Sequence, residues 1–116
     1  MNIEIARIYE DKKDSKNIRI LVDRLWPRGI SKEDASLGYW HKEWAPGDDL
    51  RKKFHSNKVS WDEFRKSYRI ELKKNKENIL KDLEELDKRK TLQLLYGSKD
   101  KKHNHALVLK EFLEDL

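Results

Sequence analysis

The chain has 116 residues, 27 of them Lys or Arg and 22 Asp or Glu, for a net charge of +5, and it has no cysteine. That length suits one domain, residues 1–116, with a modest core, and the missing thiol excludes disulfides, thiolate metal sites and cysteine nucleophiles. Charged residues (42%) outnumber hydrophobic ones (36%), but four Trp, four Tyr and three Phe argue for a packed core rather than disorder. The opening "MNIEIARIYE" has no basic leader followed by an apolar stretch, and no apolar run reaches membrane length, so a cytoplasmic protein with no membrane contact is expected. The basic excess favours anionic partners, although both signs are interspersed.

"IEIARIY" (Ile3–Tyr9) reads as a strand, and the polar loop "EDKKDSKN" leads to a second strand, Ile18–Val22. After "DRLWPRGI", Ser31 with Asp34 three residues on resembles a capping box opening a short helix. "YWHKEWAP" is short, aromatic and ends before a proline, which favours a short strand over a helix. "DDLRKKF" spaces Leu50 and Phe54 as a helix does. "SWDEFRKSYRIEL" opens on a Ser60–Glu63 capping box and carries the stripe Trp61, Phe64, Tyr68, Leu72. Asn75 is positioned to cap a further helix with Ile79, Leu80, Leu83 and Leu86 facing the core. "TLQLLY" (Thr91–Tyr96) reads as a buried strand, "GSKDKKHN" as a loop, and "HALVLKEFLEDL" as an amphipathic helix with Ala106, Leu109, Leu113 and Leu116 on one side. The alternation implies an α/β fold: a small, mixed sheet of three to four strands flanked by helices.

In open α/β sheets ligands collect beyond the carboxyl ends of strands. Here those ends are "DRLWPRG" and "YGSKDKKHN", which predicts that the two loops meet at one cleft. Pro27 stiffens the first loop, and Arg24 and Arg28 suit bidentate contacts with phosphate or carboxylate. Lys99, Asn104 and Tyr96 belong to the second loop region, beside a helix start that attracts anions. Lys42 completes the ligand-binding set, and Asp23, Asp100 and His103 are the candidate acid–base groups. Each has a bland alternative: structural ion pairs for Asp23 and Arg24, core for Trp26, a helix cap for Asp100. Metal binding is not expected, because His103 and His105 stand two apart on different helix faces with no acidic cluster beside them. No P-loop, G-x-G-x-x-G or G-x-S-x-G motif is present, so no cofactor is expected either.

"VDRLWPRGISKEDA", "W-x-K-x-W-A-P", "LRKKF", "W-x-x-F-R-x-x-Y-x-x-E-L" and "LLYGSKDKKHNHALVL" together resemble the domain-of-unknown-function 488 family, in its short YeaO-like branch. The resemblance runs from Ile18 onward and implies a small bacterial α/β domain. Its motif positions fall on Asp23, Arg24, Trp26, Pro27, Arg28, Gly29, Trp40, Lys42, Pro46, Phe64, Arg65, Tyr68, Tyr96, Lys99, Asp100, His103 and Asn104. Longer relatives resemble this pattern with cysteine and histidine in the last motif. Tyr96 and His103-Asn104 stand there in this chain, so their thiol chemistry does not transfer. The porphyrin methyltransferase label of some relatives finds no glycine-rich cofactor loop here.

The expected function is binding of a phosphorylated or nucleotide-like small anion between the two loops, with acid–base catalysis in reach. The alternatives are a nucleic-acid-binding module using the basic helices (Lys52, Lys53, Arg65, Lys66, Arg69, Lys73, Lys74) or an interaction adaptor without chemistry. Oligomeric state is not encoded in any of these features.

Overall fold

Residues 1–11 and 13–116 are described by a computed structural model. Four strands form its sheet, β1 (Ile3–Arg7), β2 (Ile18–Leu21), β3 (Tyr39–Trp40) and β4 (Leu92–Tyr96), in the order β1-β4-β2-β3. Every ladder is parallel, so the sheet is parallel rather than mixed. The reason is the position of β4. It inserts between β1 and β2, pairing Ile3 and Ile18 on either side with Leu92, and so denies the first two strands a hairpin. All five β4 residues are buried, as expected of an apolar run at the centre of a parallel sheet.

Among the described residues five helices surround the sheet: α1 (Lys32–Ala35), α2 (Asp48–His55), α3 (Trp61–Lys74), α4 (Lys76–Glu84) and α5 (His105–Glu114). The α3 helix starts on the reciprocal Ser60–Glu63 capping box, and α5 starts on Asn104, whose side chain accepts from Leu107 N–H. The period-2 alternation of the strands sorts the core. Ile20, Val22, Leu92 and Leu94 face Phe64, Tyr68, Leu72 and Leu109 in the main core. Leu21, Leu95, Ile8 and Ala35 form a smaller cluster with Trp26 and Trp40 on the other face.

That second face also buries Arg19, which donates to the carbonyls of Ala35 (2.8 Å) and Ser36 (3.0 Å) and to Gln93 Oε1 (3.1 Å), and pairs with Asp11. These bonds fix the end of α1 onto the sheet and meet most of the hydrogen-bonding need of a buried guanidinium.

Three local expectations change. The strand in "YWHKEWAP" is only two residues long and gives way to a 3₁₀ turn at Lys42–Trp44. Asn75 sits at the start of α4 without capping it, because its Oδ1 accepts instead from the Asn78 side chain at 3.0 Å, while its Nδ2 donates to Glu43 O. Leu80 and Leu116 are exposed (37% and 42%), since α4 turns Ile79 and Leu83 inward, with Leu86 buried just past its end, and Leu116 lies beyond the last turn of α5.

Candidate ligand-binding cleft

The parallel order puts the carboxyl ends of β2 and β4 side by side, and the loops that follow them line one cleft of about 240 Å³. From the first loop come Asp23, Arg24, Leu25, Trp26 and Pro27; from the second come Gly97, Ser98, His103 and Asn104, followed by His105 at the start of α5. The α2 helix closes the far side with Arg51, Phe54 and His55, and Phe64 of α3 forms the floor.

Asp23 joins the two loops. Its Oδ2 accepts from Gly97 N–H at 2.8 Å. Its Oδ1 lies 3.1 Å from His105 Nε2. That same ring nitrogen is 3.0 Å from Val22 O. A carbonyl oxygen only accepts, so Nε2 carries the proton in its contact with Val22 O. Gly97 is a glycine for a visible reason: a Cβ there would meet Asp23 Oδ2 at 3.0 Å.

The cations of the cleft are differently held. Arg24 donates Nε to Pro46 O (3.0 Å) and Nη2 to Ala45 O (3.5 Å), which ties the first loop to the segment before α2. Its Nη1 has no partner among the described residues. Arg51 is less engaged: among the described residues its buried Nε has no acceptor, and its one ion pair is a 3.4 Å contact with exposed Asp48. Burial pushes the His55 imidazole below its ordinary 6.5, Arg51 and His105 add to this, and Asp23 opposes it.

The residues expected from sequence divide into three groups. Asp23, Arg24, His103 and Asn104 line the cleft. Asn104, although buried, is occupied in holding the turn, accepting from Leu107 N–H and donating to Asp100 O. His103 is half exposed and stacks on Trp61 at 4.9 Å, between the cleft and a neighbouring groove. Asp100 lies outside the cleft and accepts from the Lys102 and His103 amides, and those bonds hold its carboxyl below the ordinary range. Tyr96 is buried at the end of β4, and burial raises its phenol above the ordinary value. Arg28, Lys42 and Lys99 are exposed and do not line the cleft; Lys42 sits over the Trp40 ring at 4.1 Å.

His105, Arg51 and His55 were missed. His105 follows two candidates in "HNH", but only the start of α5 at that residue decides which imidazole faces β2. Arg51 and His55 are one helical turn apart on α2, a spacing that signals a shared face.

Over residues 2–116 the chain matches the family model described as the inactive DUF488-N3 subclade. It is 45% identical over 116 residues to the uncharacterized protein YeaO of Escherichia coli K12, covering all of both chains. It is 35% identical over 111 residues to uncharacterized proteins of Mycobacterium bovis and Mycobacterium tuberculosis, covering 96% of this chain and 92% of theirs. No solved structure gives a significant match. With the whole fold inside the matched region and relatives aligned from end to end, the chain belongs to the DUF488 family, in its YeaO-like branch.

Proposed function

We propose that the cleft at the ends of β2 and β4 binds a small organic anion, and that Arg24 and Arg51 are its anchoring charges. The observation that carries this reading is Arg51. A guanidinium that lines an apolar cleft, with Nε buried and unpartnered, lacks the acceptors that buried donors ordinarily find. Among the described residues the cleft wall carries one carboxylate, Asp23, whose Oδ2 accepts from Gly97 N–H and whose Oδ1, 3.1 Å from His105 Nε2, makes no hydrogen bond and does not pair with Arg51. An incoming anion would meet the open part of this guanidinium, whose side chain keeps 23% exposure and whose ion pair among the described residues is the 3.4 Å contact with Asp48. If a proton moves in this site, Asp23 and His105 are the pair placed to handle it. The inactive label of the matched subclade favours binding without turnover.

The nucleic-acid reading has less support. Arg65 pairs with Glu111 at 2.6 Å, and Arg69 lies 3.6 Å from Glu111 and 3.8 Å from Asp115, so much of the basic helix surface is neutralised locally.

The test is thermal unfolding with millimolar acetate, benzoate, sulfate and phosphate. A ligand that binds only the folded chain raises the melting temperature. Arg51→Gln is expected to fold cooperatively and lose the response. Arg24→Ala is a poorer probe, because it also removes the bonds to Ala45 and Pro46. An equal response in wild type and Arg51→Gln places the anion elsewhere and refutes the assignment.

A further inference from the structure

We propose that the ligand is a small monocarboxylate with an apolar body, rather than a phosphate ester or a nucleotide. This rests on the anion-binding reading above and adds the class of anion. Three features of the cleft carry it.

The first is charge. Two arginines and one aspartate line the cleft, which leaves +1 with the imidazoles set aside. A single carboxylate closes that balance. A phosphate monoester, with a second pKa near 6, brings about two negative charges at pH 8 and leaves the site net negative. His55 offers little relief there. The groups around it are Arg51 on its own helix, Asp23 after β2 and His105 on α5, and its imidazole sits below the ordinary value.

The second is the wall. Phe54 and Phe64 stack at 4.2 Å, and Trp26, Pro27 and Leu25 stand in the first loop. Most of the lining is thus apolar, with Asp23, Arg24 and Arg51 as its charged groups. That division suits a ligand with one charged end and a body that prefers to leave water.

The third is size. About 240 Å³ is below the range of roughly 300–1,000 Å³ that holds drug-sized ligands. A benzoate-sized molecule fits such a space, whereas a mononucleotide has to leave its base or its sugar outside.

The test is an amide NMR titration of the full chain with benzoate, phenyl phosphate and adenosine monophosphate at pH 8, repeated on Arg51→Gln. Benzoate and phenyl phosphate share a ring and differ in charge. Benzoate is expected to bind at least about tenfold tighter than phenyl phosphate, the effect of one uncompensated charge at close range. Its shifts should centre on Gly97 and His105 and vanish in Arg51→Gln. Adenosine monophosphate is expected to bind no better than phenyl phosphate. Tighter binding of phenyl phosphate, with Arg51 dependence kept, overturns the carboxylate assignment and leaves the anion site standing. Tightest binding by the nucleotide overturns the size limit. No Arg51-dependent shift with any of the three overturns both readings.

Discussion

Gly97→Ala tests the Asp23 junction more directly than any truncation of the carboxylate. Gly97 is not in the left-handed region, so alanine brings no backbone strain. Left alone, the substitution would stabilise by about 0.4–1 kcal/mol through the unfolded chain. Here the new Cβ lies 3.0 Å from Asp23 Oδ2, the atom that accepts the Gly97 N–H at 2.8 Å. Asp23 is also held from the other side by His105, so it has little room to withdraw. Displacing it forfeits a charge-assisted hydrogen bond worth about 1.5–3 kcal/mol. The net expectation is destabilisation of about 1–2 kcal/mol, read from urea unfolding as a lower midpoint at unchanged slope. In an Asp23→Ala background only the ordinary contacts with Tyr9 (3.8 Å) and Pro27 (4.0 Å) remain, and Gly97→Ala becomes neutral or stabilising. The double-mutant cycle should therefore show a coupling of about 1.5–3 kcal/mol. Additive effects, within about 0.5 kcal/mol, would refute the claim that this carboxylate locks the two loops together.

Phe64 is 1% exposed, and Phe64→Ala is expected to destabilise by about 3–5 kcal/mol, against less than about 0.5 kcal/mol for Lys66→Ala on the exposed side of α3. Urea melts decide this, and equal small effects would remove Phe64 from the core. His41 stacks on Trp44 at 4.6 Å and on Tyr39 at 5.4 Å, and burial pushes its imidazole below 6.5 despite nearby Asp82. The unfolded chain then takes up the proton first, so the stability is fully present above about pH 6.5 and declines as pH falls toward the folded value. His55 contributes with the same sign. His41→Gln should flatten the fall in stability between about pH 7 and 5; an unchanged profile would mean that His41 does not gain its proton on unfolding.

Much of the local structure was legible because its signals are local. Ser60 and Glu63 are three residues apart, the α3 stripe repeats every three to four, and the Leu92–Tyr96 run is too short and too apolar for anything but an interior strand. The two strand-end loops could likewise be picked out, since each follows such a run. Leu80 and Asn75 show where this stops. Each has the right type at the right spacing; Leu80 is overruled by what α4 packs against, and Asn75 by the Asn78 amide that takes its Oδ1.

The sequence by itself determined which segments are strands and helices, which face of each is apolar, and that an aspartate and an arginine stand in a stiff loop at a strand end. Only the tertiary structure decided the strand order, the partner of Asp23 and the cations that share its cleft. Periodicity reports which way a side chain points but carries no information on which strand lies beside it, so the insertion of β4 between β1 and β2 had no local signature. Asp23 and Gly97 are 74 residues apart, and their bond exists only because that insertion sets the ends of β2 and β4 next to each other. Arg51 looks like one more charge in a basic helix until α2 closes over the cleft and leaves its Nε without a partner.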